Sequence, residues 1–150
     1  MKKNNIIILV SIILVAGLGS LFTQLGMEWF GGLNRPTEWV PAFIFPVVWT
    51  TIYLLFAFTL IRLNNQKKLT KKAVVLLIIN GIMNVLWCLV FFTFNQLLIG
   101  NIVIVLNLIV GILLYVEMSK IEPLSGYLIA LYPIWLCLAT TLNNALWILN

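Results

Sequence analysis

The sequence contains no histidine and no aspartate, and its only acidic residues are four glutamates. A histidine-ligated haem, most zinc sites, a Ser-His-Asp triad and paired-carboxylate chemistry all require residues that are missing here. None of the glutamates lies deep in an apolar run, although proton-coupled transporters usually keep an ionisable group within the membrane. The two cysteines, Cys88 and Cys137, have no further metal ligands to join them. We therefore expect no metal site, no bound cofactor and no conventional catalytic constellation.

Charged residues of either sign are scarce, and this decides the class of protein. They make up 9% of the 150 residues, while hydrophobic residues make up 63%. A soluble domain carries about 25% charged residues, so we expect a membrane protein. Four uncharged runs cover residues 4–27, 39–61, 73–116 and 123–150.

The third of these runs is long enough for two spanning helices, since one helix needs about 20 apolar residues. Asn95-Gln96 and Gly100-Asn101 mark the break between them. The sequence therefore predicts an all-α membrane protein, a single domain formed by a bundle of five transmembrane helices. Their predicted bounds, set by the charge-free runs and a span of about 20 residues, are roughly 5–25, 42–63, 73–94, 101–118 and 125–148.

The basic residues predict the orientation of this bundle. Arg35 alone lies on one side of a five-helix arrangement. The other eight lie on the opposite side, and they are Lys2, Lys3, Arg62, Lys67, Lys68, Lys71, Lys72 and Lys120. By the positive-inside rule we expect a cytoplasmic N-terminus and an outward-facing C-terminus. The net charge of +5 is explained by this collar and its attraction to membrane lipid, without any nucleic acid.

The loop before the second helix is predicted to be ordered but not helical. Gly31-Gly32 frees the backbone, and Pro36 and Pro41 each remove an amide donor. The helix that follows is aromatic on one face, so the loop and helix together suit the lid and wall of a pocket for a flat, apolar ligand. We assign Arg35, Pro36 and Pro41 to the lid and Trp39 to the ligand-binding residues.

Arg35 has two possible roles in this lid. It is the one cation beside the predicted mouth, where it would suit the carboxylates of a ligand. Alternatively, it forms an ion pair within the loop, with Glu28 or Glu38.

Three helices carry aromatic and amide side chains in stripes at helical spacing. The stripes are Phe45, Trp49 and Tyr53 in the second helix, Asn80, Asn84, Trp87 and Phe91 in the third, and Trp135, Ala139, Asn143 and Trp147 in the fifth. Amides within a hydrocarbon span are unfavourable unless they are paired. The asparagines therefore either form hydrogen bonds between helices or face a cavity, and the aromatic rings either pack or contact a ligand.

Four segments together resemble the TspO/MBR family, the translocator proteins, also called tryptophan-rich sensory proteins or peripheral-type benzodiazepine receptors. They are WFGGLNRPTEWVP, VVWTTIY, NVLWCLVFF and LYPIWLCLATTLNNALWILN. The resemblance spans nearly the whole chain and is to a bacterial member, which implies a bacterial cell membrane. It also implies a five-helix bundle, often a homodimer, with a pocket closed by the loop between the first two helices.

The resemblance further implies ligands and site residues. Members bind porphyrins such as protoporphyrin IX and haem, drugs of the isoquinoline carboxamide and benzodiazepine type, and cholesterol in animals. The sterol-associated tail is missing here, because the chain ends in ALWILN. The positions that match the family's pocket motifs are Trp49, Asn84, Trp87, Phe91, Trp135, Ala139, Leu142 and Asn143.

Three functions remain open on this basis. The first is a receptor or sensor that binds a porphyrin or a similar flat molecule. The second is a light-driven porphyrin oxidase, in which the indoles of Trp49 and Trp135 would be the catalytic groups. The third is a transporter of tetrapyrroles or other hydrophobic small molecules. We favour binding, because aromatic walls are present while acid, base and metal-ligand sets are missing. The expected partners are the small molecule, membrane lipid and a second copy of the chain.

Overall fold

The computed structural model describes residues 3–36 and 39–150, and these residues form helices and loops without any strand. Five spans are long and apolar enough to cross a membrane, and the last of them is divided into two helices. The predicted fold class, an all-α bundle of five transmembrane helices, is confirmed. The elements are α1 (Lys3–Leu25), α2 (Met27–Gly31), α3 (Ile44–Asn65), α4 (Lys71–Cys88) with a π-helical turn (Leu89–Thr93), α5 (Leu97–Ile121), α6 (Pro123–Ile129) and α7 (Leu131–Leu149).

The five spans form a closed ring. α1 packs against α3 and α4, α4 packs against α5, and α5 packs against α6 and α7, which in turn close the ring on α3. The best-buried side chains belong to α3, α5 and α7, with Leu63, Leu114 and Leu136 almost inaccessible. α1 is peripheral, and Asn5 is the one buried residue among those described in it. Because α1 separates α3 from α4, a gap remains between these two helices.

One end of the ring, which we call the basic end, carries the positive charge. Its cations in the described chain are Lys3, Arg62, Lys67, Lys68, Lys71, Lys72 and Lys120. Glu122 lies 2.9 Å from Arg62 and 3.6 Å from Lys68, and Glu117 lies 3.2 Å from Lys72. These pairs are partly exposed, so each contributes only about 0–1 kcal/mol.

The opposite end, which we call the lid end, holds α2 and the described parts of the loop that follows it, residues 32–36 and 39–43. The amide of Asn150 pairs in both directions with the backbone of Asn34. Its Oδ1 accepts from the Asn34 amide nitrogen at 2.9 Å, and its Nδ2 donates to the Asn34 carbonyl at 3.1 Å. The same Nδ2 donates to the Leu146 carbonyl at 2.8 Å. The end of α7 therefore anchors the first part of the loop.

The break before α5 differs from the predicted one. The connection consists of Phe94–Gln96, with Asn95 in the left-handed region at φ 58°, and α5 already begins at Leu97. Gly100 lies in the first turns of α5, where a Cβ atom would come within 2.8 Å of the Phe91 ring. The glycine therefore permits a close approach of α5 to the π-helical turn and does not break the helix.

Candidate ligand-binding site

Five aromatic residues of α2, α4 and the π-helical turn meet at the lid end, and we call them the lid-end cluster. They are Trp29, Phe30, Trp87, Phe91 and Phe92. Trp87 and Phe91 are stacked, with ring centroids 5.6 Å apart and planes at 23°. Trp29 meets the edge of Phe91 at 5.8 Å. The half-buried Trp39 packs against the same cluster. The result is a continuous aromatic wall beneath the loop.

The π-helical turn explains how two consecutive phenylalanines enter this wall. The amide of Phe94 donates to the Leu89 carbonyl, five residues earlier, at 3.0 Å. A turn of this width separates neighbouring side chains by a smaller angle than an α-helix does, and such turns are frequent at functional sites. Phe91 and Phe92 are therefore both buried, at 1% and 8% exposure, with ring centroids 4.9 Å apart.

A second aromatic wall lies where α3 faces α7. Phe45 meets the edge of Trp135 at a centroid distance of 5.5 Å. One turn further from the lid, Trp49 stacks on Tyr53 at 5.7 Å and meets the edge of Tyr132 at 6.4 Å. The stripe predicted on the second helix therefore divides. Phe45 faces the lid-end half of the bundle, and Trp49 and Tyr53 face its middle.

Three buried hydrogen-bond donors in this region have no partner among the described residues. They are Nε1 of Trp87, Nε1 of Trp135 and Nδ2 of Asn143. Trp135 and Asn143 are 5% and 3% exposed. Leaving a buried donor unpaired costs about 1–3 kcal/mol, so native structures rarely retain such groups without a purpose. All three belong to residues that the sequence assigned to ligand binding.

The remaining amides of the bundle are paired with one another. Asn80 Nδ2 donates to Asn107 Oδ1 at 2.8 Å and to the Tyr132 hydroxyl oxygen at 2.7 Å. Asn84 Nδ2 donates to the same hydroxyl oxygen at 2.8 Å. This network joins α4, α5 and α7. Asn84 therefore forms one bond between helices, to Tyr132, and two within α4, to the carbonyl and Oδ1 of Asn80 at 3.3 and 3.4 Å. Asn143 differs in having an unpaired donor.

A cavity of about 430 Å³ occupies the gap between α3 and α4, on the inner side of α1. Among the predicted ligand-binding residues, Trp49, Tyr53 and Asn84 line it. The cavity extends from these residues toward the basic end, and Tyr132 closes its inner side. The other predicted residues lie outside its lining, in the two aromatic walls or along α7. Ala139 packs there against the main core and Leu142 is half-buried.

The lid residues are held by local contacts. Arg35 Nη2 donates to the Phe30 carbonyl at 2.6 Å, and its guanidinium carbon lies 4.4 Å above the Phe30 ring and 6.0 Å from the Trp39 ring. Pro36 is half-buried, and Pro41 accepts a backbone bond from Ile44 that begins α3. The expected pair with Glu28 is not formed in the described chain, and Glu38 lies outside the described residues.

Some residues of the site were missed in the sequence. Phe30 and Phe92 lie in the lid-end cluster but were not among the predicted residues. Each directly follows another aromatic residue of the cluster, Trp29 or Phe91. The doublets WF at 29–30 and FF at 91–92 were the available signal. Tyr132 was missed because the stripe was taken from Trp135 onward at four-residue steps, although Tyr132 lies three residues before Trp135 and that spacing also shares a helical face.

Comparison with known proteins identifies the family of the chain. The sequence model of the TspO/MBR family matches residues 7–148. The chain belongs to the TspO/MBR family. Protein CrtK of Rhodobacter capsulatus is 30% identical over 125 residues, which cover 81% of this chain and 78% of CrtK. The tryptophan-rich sensory protein of Cereibacter sphaeroides is 29% identical over 117 residues, covering 77% and 73% of the two chains.

A third family member, the tryptophan-rich protein TspO of Chlorobaculum tepidum, is 28% identical over 136 residues, covering 88% of this chain and 86% of that one. These three relatives are bacterial, and their similarity extends over most of the five spans. The protein is therefore an integral, multi-pass membrane protein. Membership of the family supports a sensor or receptor role in the membrane.

Proposed function

We propose that the protein is a membrane receptor that binds porphyrins, such as protoporphyrin IX, or similarly flat hydrophobic drug-like molecules. The ligand would lie in the lid-end half of the bundle, between the lid-end cluster and the wall formed by Phe45 and Trp135. The loop of residues 32–43 would cover it. The observation that carries this proposal is the set of three buried, unpaired donors on Trp87, Trp135 and Asn143.

The chemistry of these donors selects the kind of ligand. All three unpaired atoms are N–H groups, so the complementary ligand offers acceptors, such as the carboxylates of a porphyrin or the carbonyl of an amide drug. Each hydrogen bond formed in place of an unpaired donor contributes about 0.5–1.5 kcal/mol, and more if the acceptor is charged. The surrounding rings supply large apolar surfaces on which a flat molecule can stack.

The lid cation fits the same ligand. Arg35 uses one nitrogen for the Phe30 carbonyl, and a guanidinium has five N–H donors. Its other donors can therefore reach an anionic ligand at the mouth while the contact to Phe30 keeps the loop in place. A porphyrin carboxylate is an acceptor of this kind.

The proposal includes the orientation and assembly of the receptor. The positive-inside rule supports a cytoplasmic basic end and an outward-facing lid end, since Arg35 is the one basic residue in the sequence away from the basic end. A ligand would then enter from outside the cell. A homodimer is the assembly that the resemblance implies, and cross-linking in membranes would test it.

Replacing Asn143 with leucine tests the binding site directly. Leucine has the same branching at Cγ and no donor, so Asn143→Leu should weaken the binding of protoporphyrin IX by about 0.5–1.5 kcal/mol, the contribution of one hydrogen bond. The stability of the empty protein should not fall, because an unpaired buried donor is removed. Absorbance titration in the dark and thermal unfolding in detergent measure the two effects.

The matched control is Asn144→Leu on the same helix. Asn144 is exposed and its Oδ1 accepts from Asn101 Nδ2 at 3.1 Å, so this variant should leave porphyrin affinity unchanged. Equal affinity of Asn143→Leu and the wild type would contradict the proposed site. A large loss of stability in Asn143→Leu would show that its amide has a structural partner instead.

A further inference from the structure

The cavity between α3 and α4 has the dimensions of a membrane lipid chain. It is lined along α1 from Ile7 to Val15 and along α3 from Trp49 to Leu60, which corresponds to about 12–16 Å at 1.5 Å per residue. The hydrocarbon of one leaflet is about 15 Å thick, half of the whole core. The volume of about 430 Å³ lies within the range of about 300–1,000 Å³ that small-molecule sites occupy.

The walls of this cavity are almost entirely aliphatic on the side of the basic end. Ile8, Leu60 and Leu77 offer only apolar surface there, and Ser11 adds a single hydroxyl group. At the inner side, Asn80, Asn84 and Tyr132 are hydrogen-bonded to one another or to Asn107, and Trp49 and Tyr53 line the same side. The walls are therefore mostly apolar surface, which an alkyl chain can cover.

A second, polar pocket lies directly at the basic end of the cavity. It has a volume of about 420 Å³ and is lined by Lys3, Asn4, Asn64, Lys67 and Leu69. Leu69 lines both pockets. Ile7 and Ile8 of the cavity lie one turn along α1 from Lys3 and Asn4. The apolar cavity therefore ends at a mouth that carries two lysines.

These two lysines have no acidic partner among the described residues, as is also true of Lys71 and Lys120, which line neither pocket. Lys68 and Lys72, which lie close to them in sequence, are paired with Glu122 and Glu117. No carboxylate of the described residues lies within 4.0 Å of Lys3 or Lys67. Their charge is therefore available to an anion at the mouth.

The backbone places Lys67 at this mouth in an unusual way. Its φ is 57°, and the amides of Lys67 and Lys68 donate to the carbonyls of Asn64 and Leu63. This is the pattern of a helix end at which glycine is the usual residue. A lysine in this position is less favourable than glycine, and its side chain lines the polar pocket.

We propose that the basic end holds a second binding site, for an anionic amphiphile with one long alkyl chain. The chain would occupy the cavity between α3 and α4, and the carboxylate or phosphate head group would lie between Lys3 and Lys67. A fatty acid and an anionic phospholipid that inserts one of its chains share this chemistry. The head group would lie at the opposite end of the bundle from the proposed porphyrin site, although Trp49, Tyr53 and Asn84, which the sequence assigned to ligand binding, line the inner end of this cavity.

Binding of defined amphiphiles to the purified, delipidated protein tests this proposal. Native mass spectrometry should show saturable binding of oleate or of phosphatidylglycerol, and weaker binding of oleyl alcohol or phosphatidylcholine, which have the same chains without the net charge. Binding of oleate identifies a fatty acid as the source, and binding of phosphatidylglycerol identifies a membrane phospholipid. Neutral chains that bind as tightly as their anionic counterparts would overturn the proposal.

Charge variants locate the head group. Lys3→Gln combined with Lys67→Gln should lower the affinity for the anionic amphiphile roughly tenfold, since two cations next to the anion are lost. Lys71→Gln combined with Lys120→Gln removes the same amount of charge from the same end, at positions that line neither pocket. This pair should change the affinity for the anionic amphiphile by less than about twofold. An equal effect of both pairs would overturn the proposed head-group site.

A cavity-filling pair locates the chain. Ser11 lines the cavity, whereas Ser20 lies on the same helix outside it. Ser11→Phe should abolish saturable amphiphile binding, and Ser20→Phe should leave it intact. Binding of protoporphyrin IX in the dark should persist in both, which shows that the bundle is folded. Unchanged amphiphile binding in Ser11→Phe would overturn the proposal, whatever the result at the lid end.

Discussion

Asparagine and tryptophan side chains serve two different purposes inside this bundle, depending on whether their donors are paired. Asn80 and Asn84 share the hydroxyl of Tyr132, and such buried bonds between helices contribute about 0.6 kcal/mol each on average. Trp135 and Asn143 keep unpaired donors a few residues away on α7. The first group joins α4 to α7. Under the proposed function, the second group would gain its hydrogen bonds from the ligand.

The two central indoles separate binding from photochemistry. Trp49→Phe should bind protoporphyrin IX within roughly 1 kcal/mol of the wild type in the dark, because an aromatic ring remains. Trp135→Phe also loses its Nε1 donor, so it should bind about 0.5–1.5 kcal/mol more weakly. Both should lose most of any light-driven porphyrin breakdown, because indole is oxidised far more easily than phenyl. Absorbance spectra recorded in the dark and under illumination measure both properties in one sample.

Trp147→Phe is the control for these variants. Trp147 lies on α7 with 44% of its side chain exposed, away from both aromatic walls, so its replacement should change neither property. If porphyrin is bleached no faster with the wild-type protein and the three variants than free porphyrin is in detergent alone, no enzymatic activity is left to explain. The protein would then be a binding protein alone.

At the scale of elements, the π-helical turn and the junction of α1 and α2 determine the lid end together. Gly26 is buried between the two helices, and a Cβ atom there would overlap the backbone carbonyl of Phe92. Thr93 Oγ1 donates to the Phe22 carbonyl at 3.0 Å on the same side. The close approach of these backbones brings Phe30 against Phe92, with ring centroids 5.3 Å apart.

Gly26→Ala should therefore destabilise the protein and weaken its lid end. The added methyl group meets a backbone carbonyl, which cannot move aside as a side chain can, so we expect a loss of about 1–3 kcal/mol. Porphyrin affinity should fall as well, because the π-helical turn that carries Phe91 and Phe92 must shift. Thermal unfolding in detergent and dark titration measure these two effects.

Gly17→Ala is the matched substitution within α1. No atom lies within 4 Å of a Cβ placed at Gly17, and alanine is favoured over glycine in a helix by about 0.5–1 kcal/mol. This variant should be as stable as the wild type or slightly more stable. Similar losses of stability in both variants would show that neither glycine can be replaced. The contact of residue 26 with Phe92 would then not explain the loss in Gly26→Ala.

The elements also show what the sequence could and could not predict. Charge-free runs predicted five spans, because an unpaired charge in the hydrocarbon core is so unfavourable that spanning helices rarely contain one. The four-residue spacing placed Trp87 and Phe91 on one face, and they are stacked. The π-helical turn was not predictable, since its wider hydrogen bonds depend on how α1 and α5 pack against it. The role of Gly100 was not predictable either. In the sequence this glycine suggests a helix break, whereas in the structure it allows a close approach to Phe91.

At the scale of the whole molecule, the order of helices around the ring decides which predicted residues meet. α3 touches α1 on one side and α6 and α7 on the other, which brings Phe45 to Trp135 and leaves the gap between α3 and α4. Periodicity gives the face of each helix but not its neighbours. For this reason the sequence predicted one pocket, whereas the structure divides the same residues between the lid-end walls and the cavity that contains Trp49.

The two ends of the ring also differ in charge, and this leads to a test of orientation. In a variant without native cysteines, Lys67→Cys at the basic end should be protected from a membrane-impermeant maleimide in intact cells. Gly31→Cys at the lid end should react, since Gly31 is exposed and no atom lies within 4 Å of its Cβ position. Positive residues favour the cytoplasmic side because their translocation is disfavoured. After the cells are opened, both positions should react, which shows that Lys67→Cys is accessible. Labelling of Lys67→Cys from outside, with Gly31→Cys protected, would invert the bundle and place the mouth of the porphyrin site toward the cytoplasm.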